Sequence, residues 1–400
     1  MKQRRPRQDD NRQGAGTGGR GGSPAQYWGN LTLLHRTQEL TEPLAQLKSI
    51  PEELQHPIPE ALLQLSTKSM QSLRGSTLNP RTVSLVDMGL DDGDSDEQLE
   101  IGASSIAMGL KRSPINPLRD IVPIAACDAS SVKIGETETG MIFAIRAVAV
   151  WRQPERIAFT RWGPLLFHIP NSDGQQEKYR DDEARAFGGL SVKTLRVLTK
   201  LRNHVERWVQ EELAITVKDG IVLLDGSLTA GTPDNPSSRV QRILSTARNN
   251  NSIVIALSKS TQLTVGGKNI LGFFDAEKIP HIIDITSVVE NEYPAYPIRF
   301  LGRVCVSKLS PDGFLFRTDI DRDADEQESL VALGRIAGTD VIFHGYPETL
   351  RIAHIFSTFT ANEILAVQRF VASNHHVSLQ ARPNLRRSLF GPFGTSRYVA

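Results

Sequence analysis

Apolar positions fall into two regimes along this chain. Up to residue 120 they recur at helical spacing or thin out, and from 121 they condense into short unbroken runs. Between 27 and 75, Leu31, Leu34, Leu40, Leu44, Leu47, Leu54, Leu62, Leu63 and Leu65 keep a helical period, and prolines at 43, 51, 57 and 59 cut it into short helices. Residues 76–120 are weakly patterned and include DDGDSDE at 91–97, which reads as a solvated loop. Residues 1–26 hold Arg, Gln, Gly and Asp with almost nothing apolar, too little to order a chain, so they read as a flexible basic tail.

From 121 the runs predict strands. IVPIAACD reads as a strand ending on Asp128, and GMIFAIRAVAVW at 140–151 as its hairpin partner, with ASSVKIGETET between them. Residues 181–217 carry the longest helical pattern. GIVLLD is a buried strand ending on Asp225, 236–249 a helix, SIVIAL another buried strand, and IRFLGRVCVSKL and GFLFRTDI two more. Helices at about 325–337 and 357–374 bracket DVIFHGYP. Hairpins first and buried crossovers later predict an α/β domain with a mixed β-sheet flanked by helices. The expected layout is a tail over 1–26, a helical or irregular N-terminal extension over 27–120, the α/β domain over 121–375 and a basic C-terminal tail over 376–400 containing ARPNLRR.

Composition narrows the class. The 400 residues carry 46 Lys+Arg against 45 Asp+Glu, a net charge of +1, so no global field draws the chain to nucleic acid or anionic lipid. Cys127 and Cys305 are the only cysteines, which excludes a disulfide framework and a cysteine-rich zinc site and fits a reducing interior. No apolar run approaches the ~18–20 residues of a membrane helix. The longest candidate, 141–151, is broken by Arg146. MKQRRPRQDD leads into glycine and not into an apolar core, so it is no secretory signal, and the expected location is the cytoplasm.

Two apolar runs finish alike, AACDASS and LLDGSLT, each placing Asp, a small residue and Ser at the strand end. Two carboxylates from neighbouring strand ends suit Mg²⁺ or Mn²⁺, because hard divalent ions prefer oxygen ligands; the plainer alternative is that each Asp caps a loop or helix. A third acidic group is expected from KTLRVLTKLRNHVERWVQEELAI. There Glu206 sits at the edge of the apolar stripe Leu198, Leu201, Val205, Trp208 and Val209, Glu212 lies nearer its middle as a rival, and Glu211 points away. Glu206 could equally pair with Arg202 four residues earlier. In GYPETLRIAHIF, Tyr346 ends a strand and His354 lies in or near the following helix, a phenol and an imidazole suited to hold a phosphate oxygen and to orient or move a proton. His344, His375 and His376 have no such context and read as structural.

The order of Asp128, a helix with Arg202 and Glu206, then LLDGSL, IVIALSKST and Tyr-Pro followed by Ala-His resembles the NurA family of nucleases over about 121–375. The resemblance implies an RNase H-like fold, a homodimer, Mn²⁺ or Mg²⁺ as cofactor, and DNA as substrate. It implies 5′–3′ exonuclease and single-strand endonuclease action during double-strand break repair, beside a HerA-type hexameric ATPase. By it, Asp128, Glu206, Asp225 and His354 would bind metal, Tyr346 would complete the site, and Lys259 would stand nearby. Ala129 departs from the family pattern, which usually has Gly after the first Asp. A non-catalytic docking partner of a DNA translocase, and a ribonuclease or other phosphodiesterase on the same fold, are the alternatives.

Other signals fail on inspection. GAGTGG at 14–19 has the spelling of a dinucleotide loop but no strand before it or helix after it. From Asp321, the sixth position of a calcium loop would be Glu326 where Gly is needed, and the twelfth Ala332 where Glu is needed. VGGKN lacks the Ser or Thr and the glycine spacing of a phosphate loop, and neither Ser130 nor Ser227 sits in a nucleophile elbow.

Overall fold

Residues 124–170 form a three-stranded antiparallel meander. The structure, a computed structural model, describes residues 57–80, 99–102, 110–153, 156–171, 192–232, 235–274, 278–293 and 299–380. The N-terminal tail with its GAGTGG, the leucines before 57, the acidic run 91–97, residues 181–191 and ARPNLRR lie outside the described residues. An edge strand β1 (Arg112–Pro114) precedes the meander of β2 (Ile124–Glu136), β3 (Gly140–Gln153) and β4 (Arg156–Pro170). Helix α1 (Glu60–Met70) lies on β4, where the Ser66 hydroxyl donates to the Leu166 carbonyl at 2.7 Å.

Buried parallel strands extend the sheet. Helix α2 (Val192–Thr216) leads to β5 (Ile221–Asp225), then come α3 (Ser237–Asn249) and β6 (Ile253–Ser258). β5 runs parallel to β2 on one side and to β6 on the other. β7 (His281–Asp284), β8 (Gly302–Lys308) and β9 (Phe316–Asp321) complete an order of β1-β7-β8-β9-β6-β5-β2-β3-β4. Three antiparallel strands followed by two parallel ones on the far side of the first is the RNase H-like arrangement. Helices α4 (Glu326–Thr339), α5 (Glu348–Ser357) and α6 (Ala361–Asn374) follow.

Each face of the sheet has its own core, because side chains alternate. Ala125, Cys127, Ala129, Val222 and Leu224 face α2 and α3, whose Val205, Val209, Leu213, Val240 and Ile243 cover them. Trp162 and Trp208 meet edge to face at 5.2 Å in that layer. Ala126, Leu223, Ile255 and Leu257 face the other way, toward Leu333 and Ile336 of α4 and Leu350 and Ala353 of α5. Burying such a side chain stabilises by ~1.5–3 kcal/mol, and strands covered on both faces read as the continuous runs seen in β5 and β6. Both cysteines are buried and unpaired by disulfides. Among the described residues no helix is long and apolar enough to cross a membrane.

Three sequence expectations need correction. β2 does not end at Asp128: its pairing with β3 continues to Glu136, so ASSVKIGE is strand and only 137–139 connect. The helix expected over 357–374 begins only at Ala361, because Thr360 caps it with a capping box to Glu363, and a separate helix, α5, precedes it. β4 has no counterpart among the predicted elements. Its Gly163, at φ 103°, and Pro164 together stand opposite the single Arg146 of β3, a bulge in β4 that breaks the alternation and that an edge strand tolerates.

Arg146, the charge inside the apolar run of β3, is buried and satisfied. Its guanidinium reaches Glu363 at 2.7 Å and the Thr358 carbonyl at 3.0 Å and lies 4.2 Å from the Phe359 ring centre. A second buried cation sits on β9: Arg317 donates twice to Asp319 at 2.8 Å, both residues 1% exposed. Asp319 also accepts the Leu228 N–H at 3.0 Å and so holds the chain just after β5. Removing one member of a buried pair leaves the other charge uncompensated. Asp319→Ala should therefore lower stability by about 3–5 kcal/mol. Replacing Arg317 and Asp319 together with Met and Leu should cost less, and the midpoint of urea unfolding reads the difference.

Candidate metal centre

The parallel pairing of β2 and β5 ends with Cys127 opposite Leu224, so the next residues of each strand, Asp128 and Asp225, stand side by side. Both belong to the face covered by α4 and α5. β2 continues beyond this point against β3, while β5 stops. The chain leaves β5 through Gly226 at φ 99°, a conformation that favours glycine, and the Gly226 N–H donates to the Leu257 carbonyl at 3.0 Å.

The other side chains arrive from three separate elements. Lys259 follows β6, and its ammonium meets Asp225 Oδ2 directly. Tyr346, buried against Phe316 with ring centres 5.3 Å apart, donates its hydroxyl to Asp225 Oδ1 at 3.2 Å. His354 on α5 places Nδ1 2.8 Å from Asp128 Oδ2, and Ser357, one turn later, donates to the same oxygen at 3.0 Å. Asp128 Oδ1 accepts the Ala129 N–H at 2.8 Å. One ligand atom each from Asp128, Asp225 and His354 lies within 4.8 Å of the others, and these three form a group able to hold a divalent metal ion. Two carboxylates and an imidazole suit Mg²⁺, Mn²⁺ or another first-row divalent ion.

Tyr346 and α5 are anchored from behind. Arg152 of β3 reaches Asp340 at 3.2 Å and the Thr339 carbonyl at 3.2 Å. Asp340 in turn accepts the Thr349 N–H at 3.2 Å, tying the start of α5 to the end of α4.

Protonation follows the geometry. Burial pushes the Asp128 carboxyl up, but the His354 hydrogen bond, the Lys259 charge and Ser357 outweigh it, and its pKa is lowered. Asp225 is raised, by burial first and by the charge of Asp128, against the pull of Lys259. The hydrogen bond to Asp128 outweighs desolvation and raises the His354 pKa, so its proton is held to higher pH.

Glu206 stands differently from the other candidates. It comes from α2, on the opposite face of the sheet, and its carboxylate is not within the group around Asp128. It accepts the Gln210 amide at 2.9 Å, and Gln210 accepts from Arg207 at 2.5 Å. Burial, then the charges of Asp128 and Asp225, push its pKa up to about 7. Its rival Glu212 accepts the Trp208 indole N–H at 3.1 Å, and Glu211 pairs with Arg239 at 2.9 Å and Arg242 at 2.8 Å. The structure thus brings Asp128, Asp225, Tyr346, His354 and Lys259 together and leaves Glu206 adjacent.

Ser357 was missed in the sequence, although its spacing of three from His354 on one helix places both on one face. Asp319 and Arg317 were missed too; their period-two spacing in GFLFRTDI marks a shared strand face. Ala129, the departure after Asp128, is explained by alternation: its methyl points away from the cluster into the opposite core, and its φ is not positive.

No family model matches the chain, and no curated protein matches it. Among solved structures, the NurA nuclease from Sulfolobus solfataricus superposes at 14% identity over 67% of this chain and 87% of that one, with a TM-score of 0.42. A second NurA structure gives 9% identity, 66% and 91% coverage and a TM-score of 0.39. Endonuclease V from Bacillus subtilis gives 11% identity, 66% and 89% coverage and a TM-score of 0.31. With every one of these scores below 0.5, the chemistry of the centre is read from this chain's own side chains.

Because the Glu206 pKa lies above its ordinary value in the folded chain, the neutral form is favoured by folding. That contribution is full below about pH 4.5 and is lost as pH rises through about 7. In EDTA Glu206 by itself should contribute a loss of roughly 3 kcal/mol of stability across this window. Glu206→Gln should flatten the profile, as measured by urea unfolding at a series of pH values.

Proposed function

We infer that this chain is a divalent-metal-dependent deoxyribonuclease that processes DNA ends. One observation carries the reading: Asp128 and Asp225, register neighbours on two parallel strands, share one cluster of possible ligand atoms with His354. Nothing in folding calls for two carboxylates side by side in a largely buried place, and a cation relieves their repulsion.

In this reading Asp128, Asp225 and His354 hold the ion, and Glu206 adds a fourth ligand from the opposite face. When bound, a divalent ion withdraws charge from the phosphodiester and makes water a better nucleophile. The chain's own residues do the rest. Tyr346, hydrogen-bonded to Asp225 Oδ1, fixes that carboxylate and presents a hydroxyl toward a bound phosphate. Lys259 balances Asp225 and offers an ammonium to the same anion. With Nδ1 engaged by Asp128, His354 has its second nitrogen left to offer the ion, and Asp128 fixes the orientation of that ring.

The motif order that resembles the NurA family points to 5′–3′ exonuclease and single-strand endonuclease action in double-strand break repair. It points further to a cytoplasmic homodimer that works beside a HerA-type hexameric ATPase and prefers Mn²⁺ or Mg²⁺. DNA, not RNA, is the substrate this resemblance favours.

End-labelled single-stranded DNA, duplex DNA and RNA, each with Mn²⁺, Mg²⁺ or EDTA, test the reading. DNA should be degraded only with metal. Asp128→Ala or Asp225→Ala should lower the rate by at least about a hundredfold, and Tyr346→Phe by about tenfold. Undiminished cleavage by the two aspartate variants would sink the assignment, and cleavage confined to RNA would sink the choice of substrate.

A further inference from the structure

Residues 342–347 form a tight β-hairpin beside the metal centre, with Ile342 opposite Pro347 and Phe343 opposite Tyr346. Its two turn residues, His344 and Gly345, both have positive φ, at 52° and 90°. That is the geometry of a type I′ turn, where Asn-Gly or Asp-Gly is usual and a His in first place is not. His344 is exposed, and the sequence assigned it no role.

A second turn props the hairpin. The Phe314 N–H donates to the His344 carbonyl at 2.9 Å. Gly313 and Gly345 pack so closely that a Cβ on Gly313 would lie 2.5 Å from Gly345 Cα. Two rings stand out from this rigid base: Phe314 is 66% exposed and Phe343 is 51% exposed. The His344 imidazole lies between them, 5.9 Å from the Phe314 ring and 4.4 Å from the Phe343 ring. The Arg351 guanidinium covers Phe343 at 5.0 Å and is held flat by two hydrogen bonds to Glu348 at 2.5 and 2.6 Å. The residues around them turn inward: Leu315 is buried, and Tyr346, the cross-strand partner of Phe343, reaches Asp225.

We propose that Phe314, His344 and Phe343, with Arg351, form a stacking platform for unpaired nucleobases that feeds single-stranded ends to the metal centre. The proposal rests on the nuclease reading and names its substrate class. Rings offered by rigid turns, with a guanidinium laid over one of them, match the π-faces of bases released from a helix. Bases inside a duplex are already stacked on each other and gain nothing from this surface. Proximity sets the direction: Phe343 lies one strand spacing from Tyr346, so a base stacked on it would place its phosphate near Lys259 and Asp225.

Fluorescence anisotropy with a labelled oligothymidylate and a labelled blunt duplex, on the full chain in EDTA, tests the platform apart from catalysis. Phe314→Ala/Phe343→Ala should weaken oligothymidylate binding by about tenfold per ring and change duplex binding by less than about twofold. Phe343→Trp should retain single-strand affinity, and Phe343→Leu, equally apolar but without a π-face, should lose it. A thermal melt of each variant checks folding. Unchanged oligothymidylate affinity in the double alanine variant, equal loss for duplex, retention by the leucine variant, or loss of self-association in place of nucleic-acid binding would each overturn the proposal. Metal-dependent cleavage that disappears with Asp128→Ala would then still stand, so the platform and the nuclease reading fail separately.

Discussion

Repulsion between two carboxylates organises the centre of this molecule. Asp128 and Asp225 follow the last pair of a parallel ladder, so the sheet itself brings two like charges side by side on one face. Neither can move off without breaking the strand that carries it. Every other polar contact in the neighbourhood answers that conflict: Lys259 and Tyr346 on Asp225, and His354, Ser357 and the Ala129 N–H on Asp128. The opposite outcomes for the two pKa values express the same fact. Asp128 has enough donors to stay ionised despite burial, and Asp225, with fewer, is held less comfortably.

The scaffold around the pair explains how such a conflict survives folding. β2 and β5 are covered on both sides by apolar layers, so the strands stay in place for reasons unconnected with the carboxylates. The turn after Asp225 is held at Gly226 by the Leu257 carbonyl and at Leu228 by Asp319, whose charge Arg317 balances in the opposite layer. On the other flank, Asp340 and Arg152 hold the segment that delivers Tyr346 and His354. Both supports are buried ion pairs with additional hydrogen bonds, the form in which such pairs resist rearrangement.

Much of this was legible in the order of residues, because buried parallel strands announce themselves as unbroken apolar runs and an aspartate at the end of one is conspicuous. Asp225 and Asp128 were visible on that ground, and Tyr346 and His354 as a phenol and an imidazole close together in GYPETLRIAHIF. What remained hidden depends on pairing between distant segments. That β2 runs on past Asp128 follows from its antiparallel neighbour, and no local spelling shows how far a hairpin extends. β4 was invisible because Gly163, Pro164 and several polar residues blur its period. The break between α5 and α6 was written in Thr360 and Glu363, a capping box that a run of helical spacing obscures. The aromatic tip escaped because exposure, not composition, distinguishes Phe343 from the buried phenylalanines of the core.

Glu206 shows why a list of acidic residues does not yet describe a centre. Helical periodicity placed it at the edge of an apolar stripe, and there it is found, but α2 covers the opposite face of the sheet from His354. It feels the charges of Asp128 and Asp225 without joining their cluster, and at a pKa of about 7 it is partly protonated near neutral pH. Binding a cation at the cluster would reverse the sign of the local field and favour ionised Glu206, so metal uptake and proton release at this residue are linked. A carboxyl kept partly neutral by its neighbours until positive charge arrives lessens the repulsion a third anion would bring to the pair. The helix and the strand ends thus form one electrostatic system divided between the two faces of the sheet, and a bound ion would act on both parts of it.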